Sequence, residues 1–148
     1  MSIFDFNDIR QARQNLHGII RETPFDKSDT LSNRTDMAVY LKAECLQHTG
    51  SFKLRGAYHK IASFGSEEKS KGIVTSSAGN HAQGVGFAAT RFNIPGRIYV
   101  PEIIPRNKLE AIQRYRVEVV IEGKLYDEAH AAAVADSKKS GRDYIPSY

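Results

Sequence analysis

Ile73-Val74-Thr75-Ser76-Ser77-Ala78-Gly79-Asn80-His81-Ala82-Gln83-Gly84-Val85-Gly86 is the stretch on which the reading of the fold turns. Three apolar or β-branched residues give a short strand, a Ser/Ala/Gly turn follows, and small residues from Asn80 to Phe92 make a helix. The same order repeats toward the C-terminus. Arg97-Ile-Tyr-Val100 reads as a strand, Lys108–Tyr115 as a helix, Val117–Ile121 as a strand and Tyr126–Ser140 as an Ala-rich helix, with Tyr144-Ile145 opening a further strand. Short apolar strands alternating with helices predict an α/β fold, an open parallel sheet with helices on both faces. Toward the N-terminus the regularity fades. Ser66-Glu-Glu-Lys-Ser-Lys-Gly72 is a charged, Gly-terminated connector and the best candidate domain boundary. Before it, Leu54, Ala57, Ile61 and Phe64 have helical spacing, Met37–Lys42 is rich in strand formers, Thr23-Pro24 breaks helical structure, and Asp5–Leu16 suits an amphipathic helix. No fixed-period repeat occurs. The terminal Asp143-Tyr-Ile-Pro-Ser-Tyr148 stops where a complete fold would continue, so we expect a truncated chain.

Composition narrows the classes of function. The 148 residues are 41% hydrophobic and 26% charged, which excludes compositional disorder. No run approaches the ~18 apolar residues of a membrane span, and the N-terminus lacks the apolar stretch of a signal peptide. We therefore expect a cytoplasmic protein with no membrane partner. A lone cysteine, Cys45, excludes an intrachain disulfide and reads as a core filler. The net charge of +4 raises nucleic acid as a partner, but the basic residues are spread among acids rather than gathered into a patch, so no nucleic acid is expected. His17, His59 and His130 lack partnered spacing, so no metal site is expected, and His48 is given no role.

Two constellations carry chemistry. In Thr49-Gly-Ser-Phe-Lys-Leu-Arg-Gly-Ala57, Ser51 is expected to cap a helix with Lys53 in its first turn. The helix end and the nearby Arg55 would disfavour a protonated ammonium, and an unprotonated lysine attacks aldehydes. The bland reading is a solvated surface lysine. In the second constellation, Ser77-Ala78-Gly79-Asn80-His81, open amides at a helix start beside serine hydroxyls suit a carboxylate or phosphate. It is neither a G-x-G-x-x-G fingerprint nor a Walker A loop. The bland reading here is that Gly84 and Gly86 permit close packing.

The string Leu41-Lys-Ala-Glu-Cys-Leu-Gln-His-Thr-Gly-Ser-Phe-Lys-Leu-Arg-Gly-Ala57 resembles the cofactor-lysine motif of fold-type II pyridoxal-phosphate enzymes, in particular threonine/serine dehydratases and serine racemases. Ser77-Ala-Gly-Asn-His-Ala-Gln-Gly84 resembles the same family's second motif at its usual distance downstream, and weaker likenesses at Arg21–Pro24, Val100–Glu102 and Leu125–Ala129 extend over most of the chain. The resemblance implies that Lys53 holds pyridoxal 5'-phosphate as a Schiff base and later takes the substrate Cα proton. Phe52 would pack beside the cofactor, Asn80 would bond its phenolic oxygen, and Ser77, Ala78, Gly79, Asn80 and His81 would hold the substrate carboxylate. The implied reaction is a dehydratase or ammonia-lyase reaction on L-threonine or L-serine. Residues 1–68 would start the large cofactor-binding domain and 69–148 would form the small domain. Serine racemases carry a serine as second base where this chain has Ala78, which favours the dehydratase. The alternatives kept open are a racemase-like enzyme and an inactive binding module; self-association is admitted by the family without being specified by these residues. Two departures stand out: the family's glycine-rich phosphate loop falls beyond residue 148, and in Tyr115-Arg116-Val117-Glu118 a bulky Arg116 stands in the turn where the family usually has Gly-Ala before the Glu.

Overall fold

The computed structural model describes residues 5–147; Met1–Phe4 and Tyr148, the outer ends of the two expected domain ranges, lie outside the described residues. Its centre is a four-stranded parallel sheet built from β3 (Ile73–Ser76), β4 (Gly96–Val100), β5 (Glu118–Ile121) and β6 (Asp143–Tyr144), in the order β5-β4-β3-β6. Ile73 to Ser76 pair in register with Gly96 to Tyr99. Parallel neighbours require long crossovers, and the intervening sequence supplies them as α5 (Asn80–Phe92), α6 (Arg106–Gln113) and α7 (Tyr126–Ser140).

Side chains alternate across a strand, and the packing follows that period. Ile73 packs with Val85, Ala88 and Ala89 of α5, and Ile98 and Val100 pack with Ala82 of α5 and Ile112 of α6. The odd-out neighbours Val74 and Tyr99 pack on Ala129 and Ala133 of α7. Helices therefore cover both faces, as the alternating strand-helix pattern predicts. Arg97 fastens α7 to the sheet edge, with Nε 2.7 Å from Glu118 and Nη1 3.1 Å from Asp136.

A further helical layer lies on α5. It consists of α3 (Lys53–Ala62) and α1 (Phe6–Leu16), whose buried Leu16, Leu54, Ala57 and Ile61 join Ile73 and Val85 in one cluster. The N-terminal part also forms a two-stranded antiparallel ladder, β1 (Phe25–Lys27) with β2 (Tyr40–Lys42), with α2 (Asp29–Thr35) between them. Only the end of the expected 37–42 strand is paired. The connector is a short helix, α4 (Ser66–Lys71), because the Glu68 carboxylate accepts the Gly65 N–H at 2.6 Å and closes its first turn. Among the described residues, no helix is long and apolar enough to cross a membrane.

Candidate active site

Lys53 begins α3, and the loop that delivers it is held from behind. Glu44, in a 3₁₀ turn, accepts two bonds from Arg55, 2.7 Å from Nε and 2.8 Å from Nη2. Thr23 Oγ1 donates to the same carboxylate at 2.6 Å. Gln47 exchanges a pair of bonds with the Arg21 main chain, its Oε1 accepting from Arg21 N at 2.9 Å and its Nε2 donating to Arg21 O at 3.0 Å. These contacts correct two expectations. The Arg55 guanidinium is taken up by Glu44, so it does not act as a free charge beside Lys53. Ser51 does not cap the helix: Phe52 occupies the cap position without a side-chain bond, and the buried Ser51 Oγ has no hydrogen-bond partner among the described residues. Cys45 is exposed rather than a core filler, because it sits on the outer side of the 3₁₀ turn that Glu44 anchors.

The Lys53 side chain is half-buried and lines a cavity of about 370 Å³ with Phe52, Ala57, His81, Ile145 and Ser147. That size lies within the ~300–1,000 Å³ of small-molecule sites. Nζ stands 5.5 Å from the centre of the Phe52 ring and donates to the Ser147 carbonyl at 2.5 Å. Among the described residues no carboxylate pairs with it. A carbonyl binds an ammonium less firmly than a carboxylate would, so the amine can be released to an aldehyde.

The second constellation meets the first through α3 and α5. A Cβ on Gly84 would lie 3.1 Å from the main-chain N of Leu54 and C and O of Lys53, so the glycine is what lets the start of α3 approach α5. At Gly86 the neighbour is Tyr115, 2.9 Å from an added Cβ. Tyr115 thus fills the groove left by Gly86. No positive φ occurs at Tyr115 or Arg116, so no glycine is required there.

The structure brings Lys53, Phe52 and His81 together around one cavity. Ser77, Ala78 and Gly79 form a half-buried loop and Asn80 is the exposed first residue of α5; none of these four lines that cavity. Within the loop Ser77 Oγ accepts the Gly79 N–H at 3.2 Å. Among the described residues no side chain caps α5, so its opening amides remain for water or an anion. His81 is buried, and its Nε2 bonds the Ile145 carbonyl at 3.1 Å. Burial above all, with a smaller effect of the Lys53 ammonium, holds the imidazole pKa below the usual 6.5 despite that bond. Sequence reasoning missed Ile145 and Ser147, because main-chain carbonyls leave no signature in residue type.

The donor set fits pyridoxal phosphate: an amine with no counter-carboxylate among the described residues, an aromatic ring beside it, and an open cavity at the start of a closely packed helix. Comparison with known proteins agrees. A family model described as pyridoxal-phosphate dependent enzyme matches residues 16–148. L-threonine ammonia-lyase of Thermotoga maritima is 43% identical over 138 residues, covering 93% of this chain and 34% of that protein. The catabolic L-threonine dehydratase of Escherichia coli is 39% identical over 142 residues, 96% of this chain and 43% of the relative. The processed form of threonine deaminase isoform 2 from Solanum lycopersicum superposes with a TM-score of 0.85 at 37% identity, over 98% of this chain and 44% of that one. Maize serine racemase gives 0.87 at 30% identity, over 96% and 43%. The chain thus spans 34% and 43% of the lengths of these two curated relatives.

Proposed function

Because the chain belongs to the pyridoxal-phosphate-dependent enzyme family, we propose that it carries the lysine-bearing part of a cytoplasmic dehydratase that converts L-threonine or L-serine to a 2-oxo acid and ammonia. The observation that carries the reading is Lys53 Nζ, set in a small-molecule-sized cavity by the contact of α3 with α5, with no carboxylate paired to it among the described residues. When bound, the cofactor supplies an electron sink for the pair left at the substrate Cα. The chain's residues do the rest. Lys53 Nζ would hold the cofactor and would accept the Cα proton. Phe52 walls the site beside it. The Ser77–His81 loop would offer main-chain amides to the substrate carboxylate, and Asn80 would bond the cofactor's phenolic oxygen. The β-hydroxyl leaves as water, and water then hydrolyses the released product to 2-oxo acid and ammonia, so the reaction balances. The domain division at 68/69 belongs to the same reading.

A racemase reading is favoured by the likeness to maize serine racemase. Against it stand Ala78, which has no side-chain base to offer the opposite face, and the higher identity to the threonine dehydratases. The test is direct. Added pyridoxal phosphate is expected to give a visible band, and borohydride to fix the label at Lys53; Lys53→Ala is expected to abolish both. No band, or label scattered over surface lysines, would overturn the cofactor assignment. Supplied with L-threonine or L-serine, the cofactor-loaded protein before any reduction separates the readings: 2-oxo acid supports the dehydratase, inversion without it the racemase, and neither the binding module.

A further inference from the structure

Two side chains converge on one main-chain oxygen beside Lys53. Ile145 follows β6 and is 2% exposed, with its N–H donating to Val74 O at 2.9 Å. Its carbonyl accepts from Thr75 Oγ1 at 2.7 Å and from His81 Nε2 at 3.1 Å. A carbonyl can only accept, so Nε2 carries the hydrogen and the tautomer is fixed. Thr75 and His81 are both buried, so neither donor has water as a substitute partner.

Ile145 is also one end of a short strap. Two residues on, the Ser147 carbonyl accepts from Lys53 Nζ, and Ile145, Pro146 and Ser147 together wall the Lys53 cavity. His81 itself ends the Ser77–His81 loop. One imidazole therefore joins the loop to the wall that faces the lysine.

We propose that His81 is a positioning residue: its Nε2–H holds the Ile145 carbonyl and thereby sets the Ile145–Ser147 wall against Lys53, coupling the loop to the amine. The role given to the loop and to Lys53 rests on the proposed function, but the coupling is a property of the chain's own contacts. The depressed imidazole pKa agrees with it, since the neutral ring needs only this one donor.

The test is made on the full chain without cofactor, so its failure is distinct from failure of pyridoxal phosphate to label Lys53. Hydrogen exchange at the Ile145 amide is measured together with the rate at which trinitrobenzenesulfonate modifies Lys53 relative to Lys108, exposed on α6 and away from the cavity. His81→Phe keeps a ring and removes the donor, and is expected to raise both readouts about 3- to 10-fold, the weight of one ordinary hydrogen bond. His81→Gln, whose amide can donate to the same oxygen, is expected to stay within about twofold of the wild type, since the bond is retained. Should His81→Phe fail to fold, Thr75→Val decides: it removes a donor to the same oxygen without touching α5, and must raise the Lys53 rate. Unchanged readouts, an equal rise at Lys53 and Lys108, or a Gln variant as perturbed as Phe would overturn the proposal.

Discussion

Glu44 shows how a single side chain can hold the loop that presents the site. Two bonds from Arg55, one from Thr23 and partial shielding from water combine on its carboxylate. The Arg55 bonds chiefly, against the opposing effect of burial, lower its pKa from 4.5 to about 2. Between those values the unfolded chain binds a proton that the folded chain does not. Stability from this group is therefore complete above about pH 4.5 and is lost as the pH falls toward about 2. Glu44→Gln is expected to cost about 1–3 kcal/mol near neutrality, the range for hydrogen bonds to a charged group. The gap between the two proteins should close on acidification, as urea denaturation at a series of pH values will show; a gap independent of pH would refute the assignment. At this scale Lys53, Phe52 and His81 were legible as residue types in two motifs. The direction in which Arg55 points was not, because it depends on a partner eleven positions earlier that only the 3₁₀ turn brings within reach.

At the scale of elements, the site depends on how closely α3 lies on α5. Gly84 sets that separation, with main-chain atoms of Lys53 and Leu54 at 3.1 Å from where a Cβ would stand. Backbone cannot rotate away as a side-chain tip can. Gly84→Ala is expected to destabilise the fold by about 1–3 kcal/mol, as small-to-large changes in packed interiors do. It should also displace the start of α3, lowering the extent of borohydride-fixed label at Lys53 while leaving surface lysines unchanged. Full labelling in a protein of unaltered stability would show that the contact is not limiting. The sequence made α5 and α7 legible to the residue, since each has small apolar residues at helical spacing on the face that meets the sheet. It concealed α2 and α4, because a six- or seven-residue helix stabilised by Ser28, or by Glu68 reaching Gly65, has no apolar stripe to betray it.

For the whole molecule the question is whether the chain unfolds as one unit. The boundary expected at 68/69 divides the sequence between an irregular and a regular half, yet the main cluster takes Leu16, Leu54 and Ile61 from one side and Ile73, Val85, Ala88 and Ile145 from the other. Ile61 and Ile73 have no exposed surface at all. Contacts that long in sequence are invisible to periodicity, which reports the face a helix buries but not what it buries it against. Truncating Ile61 to alanine should cost about 2–5 kcal/mol, the usual range for a large-to-small change at a closed site. Because the cavity would open against residues of both halves, the loss should appear in the parallel sheet as well as in α3. Hydrogen exchange provides the measurement: amides of β3 and β4 should lose protection by the same factor as those of α3, with one transition in urea. Loss confined to α3, with β3 and β4 still protected as in the wild type, would show instead two units that fold independently on either side of α4.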